Sequence, residues 1–350
     1  MRSPGIVGSL ADGPALPLAV DGLVLRGRIV DSLRQAETKL WNILRQIGES
    51  AAVEPCIGIA LVPADALAWM TRLPDDALHA IVTDPPYGLI EYQEKDHAKL
   101  REGRGGVWRI PPAFDGVERS PLPRFTVLTD HDRRQLDDFF LRFAMLALRK
   151  LVPGGHLMIA STPLLSTTTF ACFEKAGFEK RGEIIRLVQT LRGGDRPKGA
   201  EGEFGDVSVM PRAGWEPWGL FRKPISERTV AANLRRWGTG GLRRISRDEP
   251  FRDVIDSSPT RAIEREIAPH PSLKPQRFMR RLVRAVLPLG FGVVYDPFAG
   301  GGSTLAAAAR VGYRAVGTEL DPEYAAMACR AIPLLRDLYP GDDGAGLPAS

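Results

Sequence analysis

Helical and strand-like stretches alternate along most of this 350-residue chain, which predicts an α/β protein with a mostly parallel, doubly wound sheet. Two stretches carry the prediction. The first is His79-Ala80-Ile81-Val82-Thr83-Asp84-Pro85-Pro86-Tyr87, a short apolar and β-branched run halted by two prolines. Proline cannot donate a ladder hydrogen bond, and it pushes the residue before it towards an extended conformation. The stretch therefore reads as a buried strand with a carboxylate at its carboxyl end and a projecting aromatic ring, at the edge where open α/β sheets bind ligands. The second is Val293-Val294-Tyr295, then Asp296-Pro297-Phe298-Ala299-Gly300-Gly301-Gly302-Ser303-Thr304 and an alanine-rich segment to Arg310. It reads as strand, glycine turn and helix, and the glycines let the backbone approach a ligand closely.

The chain is long enough for one large domain with insertions, or for two domains. Hydrophobic content of 44% and charged content of 25% are ordinary for a globular protein. A net charge of +5 permits a polyanionic partner without requiring one. Cys56, Cys172 and Cys329 are far apart, and with five scattered histidines they form neither a metal-ligand pattern nor a disulfide framework. No apolar run reaches membrane-spanning length, and Met1-Arg2-Ser3 leads into no signal-peptide core, so a reduced, cytoplasmic setting is expected.

In chain order, residues 1 to about 25 are rich in Gly, Pro and Ala and are expected to be poorly ordered. Ile29, Val30, Leu33, Leu40, Ile43, Leu44 and Ile47 recur at helical spacing, giving an amphipathic helix that packs on the domain or on a partner subunit. Ile57 to Val62 reads as a strand, and Ala66 to Leu73 as a short helix that Asp65 is placed to cap. Residues 88–128 hold six glycines and five prolines with little periodicity, which predicts a long functional loop. Arg133 to Leu151 is a helix ended by Val152-Pro153-Gly154-Gly155, and His156 to Ser161 is a strand. A helix from Thr167 to Ala176, a strand around Ile184 to Leu191 and a strand from Trp215 to Lys223 follow. From Pro224 to about Ala268 arginines dominate, Arg235, Arg236, Arg243 and Arg244 among them, as a solvated basic face or as contacts to phosphates and base edges. A helix through Phe278, Leu282, Val283 and Val286 precedes the glycine turn, and the strand Arg314 to Thr318 after it ends in Glu319.

Asp84-Pro85-Pro86-Tyr87 resembles the catalytic motif of the amino-methylating DNA methyltransferases, although a Pro-Pro turn with a capping aspartate would look alike. Asp-Pro-Phe-Ala-Gly-x-Gly resembles their S-adenosylmethionine loop, with Gly301 and Ser303 where serine and threonine are more usual. The glycine turn and Glu319 alone would also suit a dinucleotide enzyme. The Trp215-Glu216-Pro217-Trp218 and His270-Pro271-Ser272-Leu273-Lys274-Pro275 segments are similar to the same family, and the resemblance covers residues 55 to 335. The order, catalytic motif first and cofactor loop last, marks the circularly permuted β class.

The resemblance implies a Rossmann-like, seven-stranded, circularly permuted methyltransferase sheet with one antiparallel strand. Its expected parts are an N-terminal extension (1–50), a catalytic half (51–223), an inserted target-recognition region (224–268), a cofactor half (269–336) and a flexible tail (337–350). It implies S-adenosylmethionine as cofactor and double-stranded DNA as partner, and leaves open a homodimer and a cognate restriction endonuclease. Asp84, Pro85, Pro86 and Tyr87 would act on a flipped base, the carboxylate and a proline carbonyl accepting from its amine while the ring stacks. Asp65, Lys274, Asp296, Phe298, Ala299, Gly300, Gly302, Ser303, Thr304 and Glu319 would hold the cofactor, with Lys274 near its methionine carboxylate. Arg235, Arg236, Arg243 and Arg244 would contact DNA. An Asp at position 84 favours N6 of adenine; N4-cytosine methylation, methylation of RNA or protein glutamine, and a DNA-binding protein with a vestigial cofactor site remain as alternatives.

Overall fold

The computed structural model describes residues 18–47, 52–86, 130–188, 194, 196–197 and 199–338. Tyr87 and the 88–128 segment lie outside them. Nine strands among these residues form one sheet: β1 (Val53–Cys56), β2 (Ile59–Pro63), β3 (Leu78–Thr83), β4 (Leu151–Ala160), β5 (Glu179–Leu187), β6 (Trp215–Arg222), β7 (Val254–Asp256), β8 (Val293–Asp296) and β9 (Arg314–Glu319). Their spatial order is β1-β2-β9-β8-β3-β4-β6-β5-β7. From β2 to β5 this is the expected seven-stranded sheet, in which β6 alone runs antiparallel to its neighbours. Two short strands that the sequence did not reveal extend it, β1 by an antiparallel hairpin and β7 by parallel pairing to β5. The fold is that of a Rossmann-like methyltransferase.

Helices cover both faces. The apolar residues of α7 (Gln276–Val286), α8 (Ser303–Arg310) and α9 (Pro322–Asp337) pack in one core with Ala80, Val82 and Val294. Those of α2 (Ala66–Arg72), α3 (Asp130–Lys150) and α4 (Ser166–Ala176) pack in the other with Ile81, Leu157 and Val293. Side chains alternate along β3, so one strand serves both layers. Ala306, Ala307 and Ala308 are fully buried and bring α8 close to the sheet. Gly317 of β9 leaves the room that Leu305 fills: a Cβ there would lie 2.7 Å from Leu305 Cδ1.

Several boundaries differ from expectation. The first helix, α1 (Leu18–Ile47), begins before residue 25, so residues 18–25 are helical rather than irregular. It packs on the domain, where Trp41 and Leu44 join the second core and the Arg314 guanidinium lies 5.9 Å over the Trp41 ring. Burial raises the pKa of Glu37 on the same helix, against the pull of Arg314. Pro153-Gly154-Gly155 does not separate helix from strand, because α3 ends at Lys150 and β4 starts at Leu151. The register slips between Leu78/Leu151 and Ala80/His156, and the extra residues are absorbed by Gly154 at φ +80. Residues 224–268 are not a separate insertion, since they contribute α5 (Val230–Trp237), β7 and α6 (Ala262–Ile267) to the body.

Candidate active site

Strands β2, β9, β8 and β3 are neighbours in the sheet, and each leads into a carboxylate at its carboxyl edge: Asp65, Glu319, Asp296 and Asp84. The chain leaves β8 towards β9 on one side and β3 towards β4 on the other, so Asp296 and Asp84 flank the switch point where open α/β sheets take their ligands. Thr83 ties the two strands together by donating its hydroxyl to Asp296 Oδ1 at 2.7 Å.

The glycine turn is held from every side. Ala299 N donates to Thr318 O at 2.9 Å, Gly302 N to Ala299 O at 2.7 Å and Phe298 N to Asp296 Oδ1 at 3.1 Å. Glu319 fastens it to β9, accepting from Gly300 N at 2.8 Å through Oε2 and from Asp321 N at 2.9 Å through Oε1. A Cβ at Gly300 would lie 2.9 Å from His270, one at Gly301 2.9 Å from Leu273 and one at Gly302 2.6 Å from Ile332. The small residue at 301 is therefore required by its neighbours here. Phe298 turns inward, 5.6 Å from the Phe143 ring and 6.0 Å from that of Phe139. Asp65 caps α2, accepting from Ala68 N at 2.8 Å. Ser303 and Thr304 open α8, and both are buried.

Burial pushes the Asp296 carboxyl up to about 6, and Asp84 raises it further, against hydrogen bonds from Thr304, Thr83 and Phe298 N. The sign of the consequence follows. The folded state keeps a proton that the unfolded chain has released, so this group's contribution to stability falls as pH rises from about 4 to about 6. Asp296→Asn, which retains the acceptor oxygen, is expected to flatten that part of the stability profile in urea melts across pH 4–7. An unchanged slope would count against a protonated Asp296.

Lys274 is the residue whose setting departs most from expectation. Its ammonium lies 2.5 Å from Asp84 Oδ2 and 3.1 Å from Glu216 Oε1, rather than being left for a cofactor carboxylate. Glu216 in turn accepts from Arg186 Nη1 at 2.7 Å through its other oxygen. Burial opposes the Lys274 charge, but Asp84 and Glu216 outweigh it and raise the pKa. Glu216 sat unread within the Trp-Glu-Pro-Trp signature. Arg186, inside a strand and far from its partners in sequence, carried no signal.

The arginines expected to bind DNA are not at this edge. Because β6 runs antiparallel, the segment after it emerges at the amino edge of the sheet, where Arg222 pairs with His156. There Asn233 of α5 donates to Pro153 O at 2.9 Å, and Arg243 donates to Tyr313 Oη, beside the start of β9, at 2.8 Å. Arg236 pairs with Glu227 at 2.7 Å and Arg244 donates to Arg247 O at 3.0 Å. Arg235, Arg236, Arg243 and Arg244 thus belong to the end opposite Asp84, a correction that strand direction, invisible in composition, imposes.

The residues present suit a cationic ligand rich in hydrogen-bond donors. Four carboxylates at consecutive strand ends favour hydroxyl and amino groups and a positive centre, and they disfavour the pyrophosphate of a dinucleotide. Among the described residues no group of three or more His, Cys, Asp or Glu could hold a metal ion.

Comparison with known proteins agrees. The N6/N4 family model described as DNA methylase matches residues 216–330. Type II methyltransferase M2.DpnII of Streptococcus pneumoniae is 30% identical over 272 residues, spanning 78% of this chain and 88% of its own length. Type II methyltransferase M.HindIII of Haemophilus influenzae is 23% identical over 279 residues, spanning 73% of this chain and 89% of its own. Among solved structures, a Thermus thermophilus protein described as a putative DNA modification methylase, complexed with S-adenosyl-L-methionine, superposes with a TM-score of 0.50 at 25% identity, covering 80% of this chain and 95% of that one. With the glycine turn, the switch-point carboxylates and a relative matched over most of both lengths, this chain belongs to the N6/N4 family of DNA methyltransferases.

Proposed function

We propose that this protein methylates the exocyclic N6 of a flipped adenine in double-stranded DNA. The observation that carries the reading is the juxtaposition of Asp84 with Asp296 at the switch point, joined through Thr83, which sets a hydrogen-bond acceptor beside the glycine turn. The cofactor is S-adenosyl-L-methionine, which supplies an electrophilic methyl group on a sulfonium centre. Asp65 and Glu319 accept from its adenine amine and ribose hydroxyls, and Phe298, Ala299, Gly300, Gly302, Ser303 and Thr304 form the turn that receives it. The target amine is a poor nucleophile because its lone pair is delocalised into the ring. Asp84 and the Pro85 carbonyl accept from its two protons and direct that lone pair outward, while Pro86 stiffens the backbone and Tyr87 stacks on the base. The nitrogen–carbon bond forms as the carbon–sulfur bond breaks, and the surplus amine proton leaves through Asp84.

Chain order, with the catalytic strand β3 before the glycine-turn strand β8, supports the circularly permuted β class. The Type II names of the two relatives support a restriction-modification setting with a cognate endonuclease. An aspartate rather than a serine at position 84 favours adenine over N4 of cytosine. Nucleoside analysis of DNA methylated with tritiated cofactor tests this directly: N6-methyladenine is expected, and N4-methylcytosine would overturn the adenine assignment while leaving the chemistry intact.

Glu319→Ala is expected to weaken cofactor binding by about 1–3 kcal/mol, roughly 5- to 150-fold, by removing charge-assisted hydrogen bonds and loosening Gly300. Isothermal titration giving a wild-type Kd would remove Glu319 from the binding site.

A further inference from the structure

Four buried charges of alternating sign run inward to the proposed catalytic carboxylate. Arg186 of β5, Glu216 of β6, Lys274 ahead of α7 and Asp84 after β3 have side chains between 7% and 13% exposed. Consecutive members are 2.7, 3.1 and 2.5 Å apart. Burying a charge is costly unless it is paired, so four together form a unit in which each member needs its neighbours.

Both ends of the unit are anchored. Arg186 Nε donates to Ser257 Oγ at 3.0 Å and Nη2 to Ser258 O at 3.1 Å, with the guanidinium 5.2 Å over the Phe278 ring. The Lys274 backbone is clamped to the start of α8, its N–H donating to Ser303 Oγ at 3.2 Å and its carbonyl accepting from the same hydroxyl at 3.2 Å. The lysine stem thus starts from a fixed point, and Glu216, held by Arg186, draws the ammonium from the side away from Asp84.

We propose that Lys274 is a positioning residue for Asp84, and that its ammonium, steadied by Glu216 and Arg186, keeps the Asp84 carboxylate ionised and oriented for the target amine. The inference rests on the reading of Asp84 as the acceptor. The charges facing Asp84 give the reason. Asp296 approaches from β8 and Glu216 from β6, and both disfavour a further negative charge in a desolvated place. His270, on the same segment as Lys274, contributes no cation, because burial first and the Lys274 charge second push it down to about 4. Arg186 is one residue further out, committed to Glu216. Lys274 stands in direct contact with Asp84. Without it an acceptor-only carboxylate would become a protonated acid, which cannot accept the amine hydrogen through that oxygen.

The test is the pH profile of single-turnover methylation at saturating cofactor for Lys274→Met, which keeps the stem and removes the charge. The acid limb is expected to move up by about one pH unit or more, so that the rate falls at least about 10-fold near neutral pH and recovers towards wild type as the pH is raised. Lys274→Arg should return the limb towards its wild-type position. Should Lys274→Met fail to fold, Lys274→Met combined with Glu216→Gln removes one charge of each sign and is expected to show the same upward shift. A limb that stays in place in the folded variant overturns the proposal and returns Lys274 to the cofactor. Asp84→Ala measured alongside separates the two readings: if it is silent, an unmoved limb refutes only the role of Lys274, whereas an active Asp84→Ala refutes both.

Discussion

Asp84→Ala is expected to lower the single-turnover methylation rate by at least about 100- to 1,000-fold, the scale of losing a preorganised hydrogen-bond acceptor. Cofactor affinity should survive, because the glycine turn is held by Ala299 N to Thr318 O, Gly300 N to Glu319 and Phe298 N to Asp296, none of which involves Asp84. DNA affinity should also survive, being dominated by phosphate contacts elsewhere. Tritium transfer with nucleoside analysis, beside cofactor titration, separates these effects. A variant that binds cofactor normally and still methylates at the wild-type rate would remove the carboxylate from the chemistry. Tyr87→Ala should weaken capture of the flipped base by about 1–3 kcal/mol, and Tyr87→Phe should be milder because the ring remains.

The second large effect concerns stability. Gly302→Ala is expected to cost about 2–4 kcal/mol, because two penalties coincide. The residue is left-handed at φ +84, which disfavours any Cβ, and the new Cβ would lie 2.6 Å from Ile332 Cγ1 in α9. Ile332 is itself fully buried and has little room to yield. Gly312 is the internal control: it is also left-handed, at φ +76, but nothing lies within 4 Å of its Cβ position. Gly312→Ala should therefore cost only about 1–2 kcal/mol. Urea unfolding of the two variants measures the difference. Equal losses would show that packing against α9 contributes nothing, and a larger loss at Gly312 would contradict the geometry.

Local patterns in the chain were enough to identify the elements that build the site. The strand ending at Asp84, the strand and glycine turn from Val293 to Thr304, and the strand ending at Glu319 were all readable. In each, an apolar run stops at residues with strong backbone constraints, proline or glycine, and such constraints act over one or two residues. The same holds for α4, which Gly177 ends at φ 105, and for α2, which Asp65 caps. Periodicity likewise placed the buried face of α3.

What depended on strand direction and long-range contact was not readable. The arginines of α5 and its flanks looked like DNA contacts because they follow the catalytic motif in sequence, yet the reversal of β6 delivers them to the amino edge. β7 is three residues long and is a strand only because β5 offers an edge to pair with. The partner of Lys274 lies 190 residues away, and Arg186 and Glu216 are 30 apart on neighbouring strands. A buried charge is identified by what it touches, and none of these residues is unusual for its own stretch of chain. Nearest-neighbour chemistry thus set where the strands end and which carboxylates stand there. The packing of β5, β6, β3 and the segment before α7 set which cation meets which carboxylate, because only the folded sheet brings those distant residues into a place dry enough for their charges to matter.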